Sequence, residues 1–194
     1  MKRKLILQEG QKLWFTSDTH YAHANIVRGE TRWPIVEQAR DFSTVQDMNW
    51  TIIDNLNSQV SEHDVLFHLG DFAFKSEEKA IELLDSLSCK NVHLLLGNHD
   101  HRIERSETLR KMFVTVDEYL ELQVDFPNGS TKEYVLMHYP LISWKGMAVR
   151  NIHLHGHTHL PKEKRIGHGR MIDVGMDGSG MFAIEANEIN DLLN

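Results

Sequence analysis

The stretch Lys12-Leu13-Trp14-Phe15-Thr16-Ser17-Asp18-Thr19-His20 (KLWFTSDTH) runs apolar and then stops on a carboxylate and an imidazole two residues apart. Residues 12–17 read as a buried strand, and Asp18 and His20 stand where that strand ends. Period-two geometry aims both side chains to one side. The same layout returns four times. VLFHLGD (65–71) ends on Gly70-Asp71, and VHLLLGNHD (92–100) on Gly97-Asn98-His99-Asp100. YVLMH (134–138) ends on His138, and IHLHGHTH (152–159) on Gly156-His157-Thr158-His159. Hard and borderline donors delivered repeatedly to strand ends suit divalent metal ions.

Helical spacing lies between the early strands. Val45, Met48, Ile52, Leu56 and Val60 predict a helix over 43–60 with Ser43 as N-cap. Ala80, Ile81, Leu83, Leu84 and Leu87 predict a second over 77–87. Strands at 65–69 and 92–96 complete an alternating pattern typical of an α/β sheet with covered faces. The second half is richer in strands, at 119–126 and 132–137 around Pro127-Asn128-Gly129-Ser130, then at 152–155, 169–174 and 181–185. Asn-Gly there is a hairpin signal. A short terminal helix is expected at 187–193. No linker, repeat or low-complexity tract divides the chain, so one α/β domain is expected over 1–194. Ligands of such sheets gather beyond the carboxyl ends of strands.

The 194 residues suffice for a sizeable core, and 41% apolar with 25% charged residues excludes a disordered or fibrous class. The single cysteine, Cys89, cannot form an internal disulfide, no apolar run approaches a membrane span, and the basic-then-apolar start is too short for a signal peptide. A cytoplasmic protein is expected. The net charge of −7 opposes a general nucleic-acid coat, although bound cations can reverse the field locally.

The motifs carry unequal weight. Asp-x-His at 18–20 is by itself more often structural than catalytic. Asp71 after Gly70 is also a common turn residue, but a carboxylate buried there is costly unless paired or metal-bound. Gly97-Asn98-His99-Asp100 is more specific: an amide oxygen, a proton donor or base, and a carboxylate able to orient an imidazole. His157 and His159, one residue apart, can reach two adjacent metals.

The order and identity of these five motifs resemble the calcineurin-like metallophosphoesterase superfamily over residues 18–159. Asn25 and Trp33-Pro34 look like its small bacterial and phage members. The resemblance implies a two-sheet β-sandwich flanked by helices, a four-layer α/β/β/α arrangement. It also implies two divalent ions, manganese ahead of iron, zinc, nickel, cobalt or magnesium. Asp18, His20, Asp71 and His159 would hold one, and Asp71, Asn98, His138 and His157 the other, with Asp71 as the bridge. By the same resemblance, a metal-bound hydroxide attacks a phosphodiester or phosphomonoester of a small or nucleotide substrate. His99 protonates the leaving oxygen, and Asp100 holds its ring.

Around this centre, His23, Arg28 and Arg32 are candidate substrate contacts, arginine being suited to bidentate phosphate binding. His153 and His155 read as structural, His68 and His93 as packed within strands, and His101 stays open. Lys162, Lys164, Arg165 and Arg170 read as an exposed hairpin before a phosphate-binding segment. Trp33, Trp144 and Tyr139 read as core aromatics before base-stacking ones. Gly70-Asp71-Phe72-Ala73-Phe74-Lys75 departs from the Gly-Asp-x-x-Asp-Arg-Gly of protein phosphatases and dinucleoside polyphosphate hydrolases, and the chain is too short for the capping regions of large nucleases. The alternatives are a catalytically silent scaffold of the same fold and a nuclease acting on polynucleotides.

Overall fold

In the computed structural model, the apolar strands alternate sides as their sequence requires. The structure describes residues 1–193; Asn194, the last residue of the expected domain, lies outside them. Strand β2 (Leu13–Thr16) turns Leu13 and Phe15 one way and Trp14 the other. In β3 (Val65–His68), Val65 and Phe67 share the side of Phe15, and Leu66 that of Trp14. β4 (Val92–Leu95) follows suit, with Val92 and Leu94 opposite Leu95. A sheet apolar on both faces needs a layer on each.

One layer is helical. It comprises α1 (Val45–Gln59), α2 (Glu77–Ser86), α3 (His101–Arg105) and α4 (Glu107–Arg110). They bury Met48, Ile52, Leu56, Ala80, Leu83, Ile103 and Leu109 against Trp14, Leu66, Val92 and Leu94. The other layer is a second sheet, built on β6 (Tyr119–Asp125) and β7 (Thr131–Met137). Leu120, Leu122, Val124, Tyr134 and Leu136 meet Phe15, Phe67 and Leu95 there.

The first sheet runs β10-β2-β3-β4-β5, with β5 at Thr115–Asp117 and β10 at Ile184–Glu185. Only the β10–β2 pair is antiparallel. The second runs β1-β6-β7-β8-β9, with β1 at Lys2–Ile6, β8 at Ile152–His155 and β9 at Met171–Asp173, and only β6–β7 antiparallel. Two mixed five-stranded sheets flanked by helices give the expected sandwich.

Several expectations shift. The α1 cap is Thr44 rather than Ser43, because Asp47 closes a capping box with Thr44. The 169–174 and 181–185 strands shorten to three and two residues. The terminal helix α6 spans Ala186–Leu192. The Asn128-Gly129 turn closes β6 onto β7 as its sequence suggests, pairing Asp125 with Thr131. Strands β1 and β5, helices α3 and α4, and the short helix α5 (Met176–Ser179) were not foreseen.

Candidate metal centre

The loops after β2, β3, β4, β7 and β8 leave the same edge of the sandwich and continue as a network of backbone hydrogen bonds. Asp18 N–H donates to Gly70 O (2.9 Å), His20 N–H to Asp71 O (3.0 Å), and Gly156 N–H to His138 O (2.9 Å). The motif residues are thus fixed to each other rather than presented on independent loops.

This fixing strains the chain. Asp18, His20, Asp71, His157 and His159 all have left-handed backbone, with φ of 56°, 47°, 55°, 69° and 48°. Asp and His enter this region more readily than most residues, yet each such conformation still costs about 1–3 kcal/mol. Five together at one edge means that side-chain chemistry outranks backbone comfort there. Two glycines allow the loops to close up. A Cβ on Gly70 would stand 2.6 Å from both Gly97 N and His138 Nδ1, and one on Gly156 would overlap the Ser17 and Asp18 side chains.

The donor atoms converge. Asp18, His20 and His159 offer atoms within 4.8 Å of one another, as do Asp18, Asp71 and His138. A single oxygen, Asp71 Oδ2, lies 3.5 Å from His20 Nε2, 3.6 Å from His138 Nε2 and 4.0 Å from His99 Nε2. Asp18 Oδ1 lies 3.6 Å from His159 Nε2 and 3.8 Å from His20 Nε2. Asn98 Oδ1 is 3.2 Å from His138 Nε2. With metal–ligand bonds of roughly 2.0–2.2 Å, neighbouring donors around one ion stand about 3 Å or more apart. These residues therefore fit divalent cations.

The far sides of the rings support the same fit. His138 Nδ1 lies 2.7 Å from Leu69 O and His159 Nδ1 2.8 Å from Asp177 Oδ2. A carbonyl or carboxylate oxygen only accepts, so both Nδ1 atoms carry a proton and both rings turn Nε2 towards the converging donors. Burial first, and the Arg40 charge second, hold His20 well below the usual histidine range, which keeps its ring neutral, the form a metal would need. Burial pushes Asp18 up to about 7, although the nearby His159 works the other way.

His157 is more exposed than its neighbours. Its N–H donates to both Asp18 oxygens, at 3.1 and 3.0 Å, while its ring packs edge-on to His138 and Tyr139. His99 is half-buried at the rim, with its N–H on Asp71 Oδ1 (2.9 Å). His23 lies beside it and beside His20, at ring-centroid distances of 6.0 and 5.3 Å, and stacks on Phe74 at 3.8 Å.

Two expectations about roles are corrected here. No hydrogen bond joins the Asp100 carboxylate to the His99 ring. Asp100 accepts the backbone N–H groups of Asp71 (2.7 Å), Phe72 (2.9 Å) and Gly97 (2.9 Å), so it ties two loops together. Arg28 pairs with Asp41 at 2.8 Å and stays outside the cavity that His23 and Arg32 line. In the basic segment, Arg165 is buried on Gly178 O (3.3 Å), so 162–170 is a hairpin with one inward arm. His153 and His155 are buried, and His68, also buried, meets Thr19 Oγ1 at 2.9 Å. His93 stacks on Phe67, and His101 begins α3, exposed.

The sequence reading missed Arg40 and Asp177. The guanidinium of Arg40 is buried and donates to the carbonyls of Asp18 (2.5 Å) and Thr19 (3.0 Å) and to both Asp177 oxygens, at 2.9 and 2.8 Å. Burial works against the Asp177 charge, but Arg40 and His159 outweigh it and hold that carboxyl far below the usual range. One cation thus anchors the Asp18 loop and the partner of His159 together.

Comparison with known proteins agrees with this architecture. Residues 11–177 match the calcineurin-like phosphoesterase family, and the chain belongs to it. The chain is 27% identical to the Gene 66 protein of Mycobacterium phage L5 over 203 residues, covering 93% of each. It is 38% identical over 92 residues to the uncharacterized protein MJ1445 of Methanocaldococcus jannaschii, a match spanning 46% of this chain and 47% of that one. The crystal structure of AQ665 from Aquifex aeolicus, a protein of unknown function, shares the fold. Its TM-score is 0.64 at 24% identity, over 94% of this chain and 100% of that one. The family's chemistry is phosphoester cleavage with divalent metals. No helix among the described residues is long and apolar enough to cross a membrane.

Proposed function

We propose that this chain is a phosphoesterase working with two divalent ions, manganese first among them. Asp18, His20, Asp71 and His159 would hold one, and Asp71, Asn98, His138 and His157 the other. The observation that carries this reading is Asp71 Oδ2, which faces His20 Nε2 at 3.5 Å and His138 Nε2 at 3.6 Å and so can serve two ions at once. Bound there, such ions supply Lewis acidity and make water a nucleophile at neutral pH. Only Asp18 and Asp71 among the seven ligands carry negative charge, so the loaded centre stays positive and draws in phosphate despite a protein net charge of −7.

His99 is the proposed proton donor. It stands on the rim, with Nε2 4.0 Å from Asp71 Oδ2, and can pass a proton to a leaving oxygen without being required as a ligand. Asp100 fixes the loop from which His99 projects. Small phosphodiesters or phosphomonoesters, nucleotides among them, are the proposed substrates, and the cytoplasm is the proposed setting.

The test is a panel of phosphomonoesters, phosphodiesters and oligonucleotides, each offered with Mn, Ni, Co, Zn and Mg. Turnover of at least one class, lost on chelation and restored by metal, supports the reading. Inactivity throughout, by protein that binds metal, would turn it into a binding scaffold.

A further inference from the structure

A cavity of about 810 Å³ opens beside the centre. His23 and Phe74 form the wall it shares with the site. Phe74 is 5.3 Å from the His99 ring and His23 6.0 Å, measured between ring centroids. The cavity therefore begins beside His99, the proposed proton donor. Its volume lies in the range of pockets that enclose small organic ligands.

Its charge is distinctive. Arg32, Lys75 and Lys79 line it on a protein with a net charge of −7. Lys79 is paired with Glu82 at 2.6 Å. Glu30, the one carboxylate of the lining, accepts the Val45 N–H at 2.9 Å. Neither Arg32 nor Lys75 has an ion-pair partner among the described residues. Lys75 also holds a left-handed backbone, φ 79°, where glycine would be unstrained, so its side chain is kept at a conformational cost. Asn25, Val45 and Phe74 add amide and apolar surface to its wall.

Building on the phosphoesterase reading, we propose that this cavity binds the leaving group, and that the leaving group is of nucleotide size and carries its own phosphate, held by Arg32 and Lys75. The preferred substrate is then a phosphodiester whose departing arm is a nucleotide rather than an uncharged alcohol. Hydrolysis adds water across the scissile P–O bond. The hydroxyl stays on phosphorus, and the departing oxygen takes a proton and leaves as the nucleotide's alcohol.

The experiment compares a dinucleoside monophosphate with the same molecule bearing a terminal phosphate on the departing nucleoside, alongside bis(p-nitrophenyl) phosphate, all with the Mn-loaded full chain. The terminal phosphate is expected to raise kcat/KM about tenfold or more, the scale of one or two charge-assisted contacts. Arg32→Ala and Lys75→Ala should each bring that ratio towards one and weaken the calorimetric binding of adenosine monophosphate relative to adenosine. A ratio near one in the wild type, or a ratio both variants leave intact, overturns the assignment of the cavity. Cleavage of bis(p-nitrophenyl) phosphate reports separately on the phosphoesterase reading: if no ester is cleaved, that reading fails and takes the leaving-group assignment with it.

Discussion

His159 donates its Nδ1–H to Asp177 Oδ2 at 2.8 Å, and Asp177 is in turn gripped through both oxygens by buried Arg40. The chain His159–Asp177–Arg40 ends on the carbonyls of Asp18 and Thr19. A candidate ligand from the second sheet and one from the first are thus held by a single ion pair. Carboxylate partners of metal-binding histidines typically contribute about 10–100-fold in metal affinity. Asp177→Asn, which keeps the shape but weakens the acceptor, should lower Mn affinity by about that factor, read by isothermal titration of metal-stripped protein. Unchanged affinity would make Asp177 a packing residue.

Arg40→Met should do more to stability than to any single contact. It takes the buried cation away from Asp177, which keeps only the His159 Nδ1–H, and leaves two carbonyls without that donor; breaking one side of a buried ion pair costs about 3–5 kcal/mol. Urea unfolding would show this as a lower midpoint. The double change Arg40→Met with Asp177→Leu should recover part of the loss. No recovery would place the damage elsewhere than in the uncompensated charge.

Asp100 separates two accounts of the Gly-Asn-His-Asp turn. Its carboxylate accepts three backbone N–H groups, from Asp71, Phe72 and Gly97. Asp100→Ala leaves these donors unpaired, at about 1–3 kcal/mol for each that stays buried. Lower unfolding free energy and lower metal content are expected together. A variant of normal stability and metal content, slow only in turnover, would restore the view of Asp100 as the partner of His99.

Gly156→Ala tests the close approach of the loops. The added methyl would meet Ser17 and Asp18, so either the Asp18 carboxylate or the loop after β8 must shift. Overpacking of this kind typically costs about 1–3 kcal/mol. Metal content should fall along with stability. Normal metal content would show that the loops have slack.

Asp64 gives a pH prediction away from the centre. Burial alone would raise its pKa, but the N–H groups of Lys12 (2.8 Å) and Ser61 (2.9 Å), with Trp14 Nε1 (3.3 Å), overcome that and hold it below the usual value. A folded pKa below the unfolded one, about 3.9, contributes stability above that pH and loses it as pH falls through the folded pKa. Asp64→Asn should therefore be less stable than wild type near neutrality by about 1–3 kcal/mol, with the gap narrowing in acid. An equal gap in urea unfolding at pH 7 and pH 3 would contradict this.

The legible parts of this molecule are those whose information is local. Strand cores such as Leu13–Thr16 and Val65–His68 carry dense apolar runs, and each candidate ligand follows one directly. The illegible parts are short or distant. Thr115–Asp117, His101–Arg105 and Glu107–Arg110 are three to five residues long, below any reliable period, and tertiary packing fixes them. Thr44 was readable, since Asp47 three positions on completes a capping box, but Ser43 beside it is an equally good cap type. Arg40 and Asp177 meet across 137 positions, and nothing near either in sequence announces the partner. The Asp100 role failed for a related reason: adjacency to His99 suggested a side-chain contact, whereas the helical turn after Asp100 points its carboxylate back to the loops of Gly70 and Gly97.

The proposed two-ion site turns on Asp71 Oδ2, which faces His20 Nε2 and His138 Nε2. The most direct measurement is the number of Mn ions bound per chain when metal-stripped protein is retitrated, with phosphodiester turnover followed in the same samples. Two ions per chain are expected, with no turnover in the stripped protein and full turnover only as the second ion is taken up. Saturation at one ion, or turnover by the stripped protein, would contradict it.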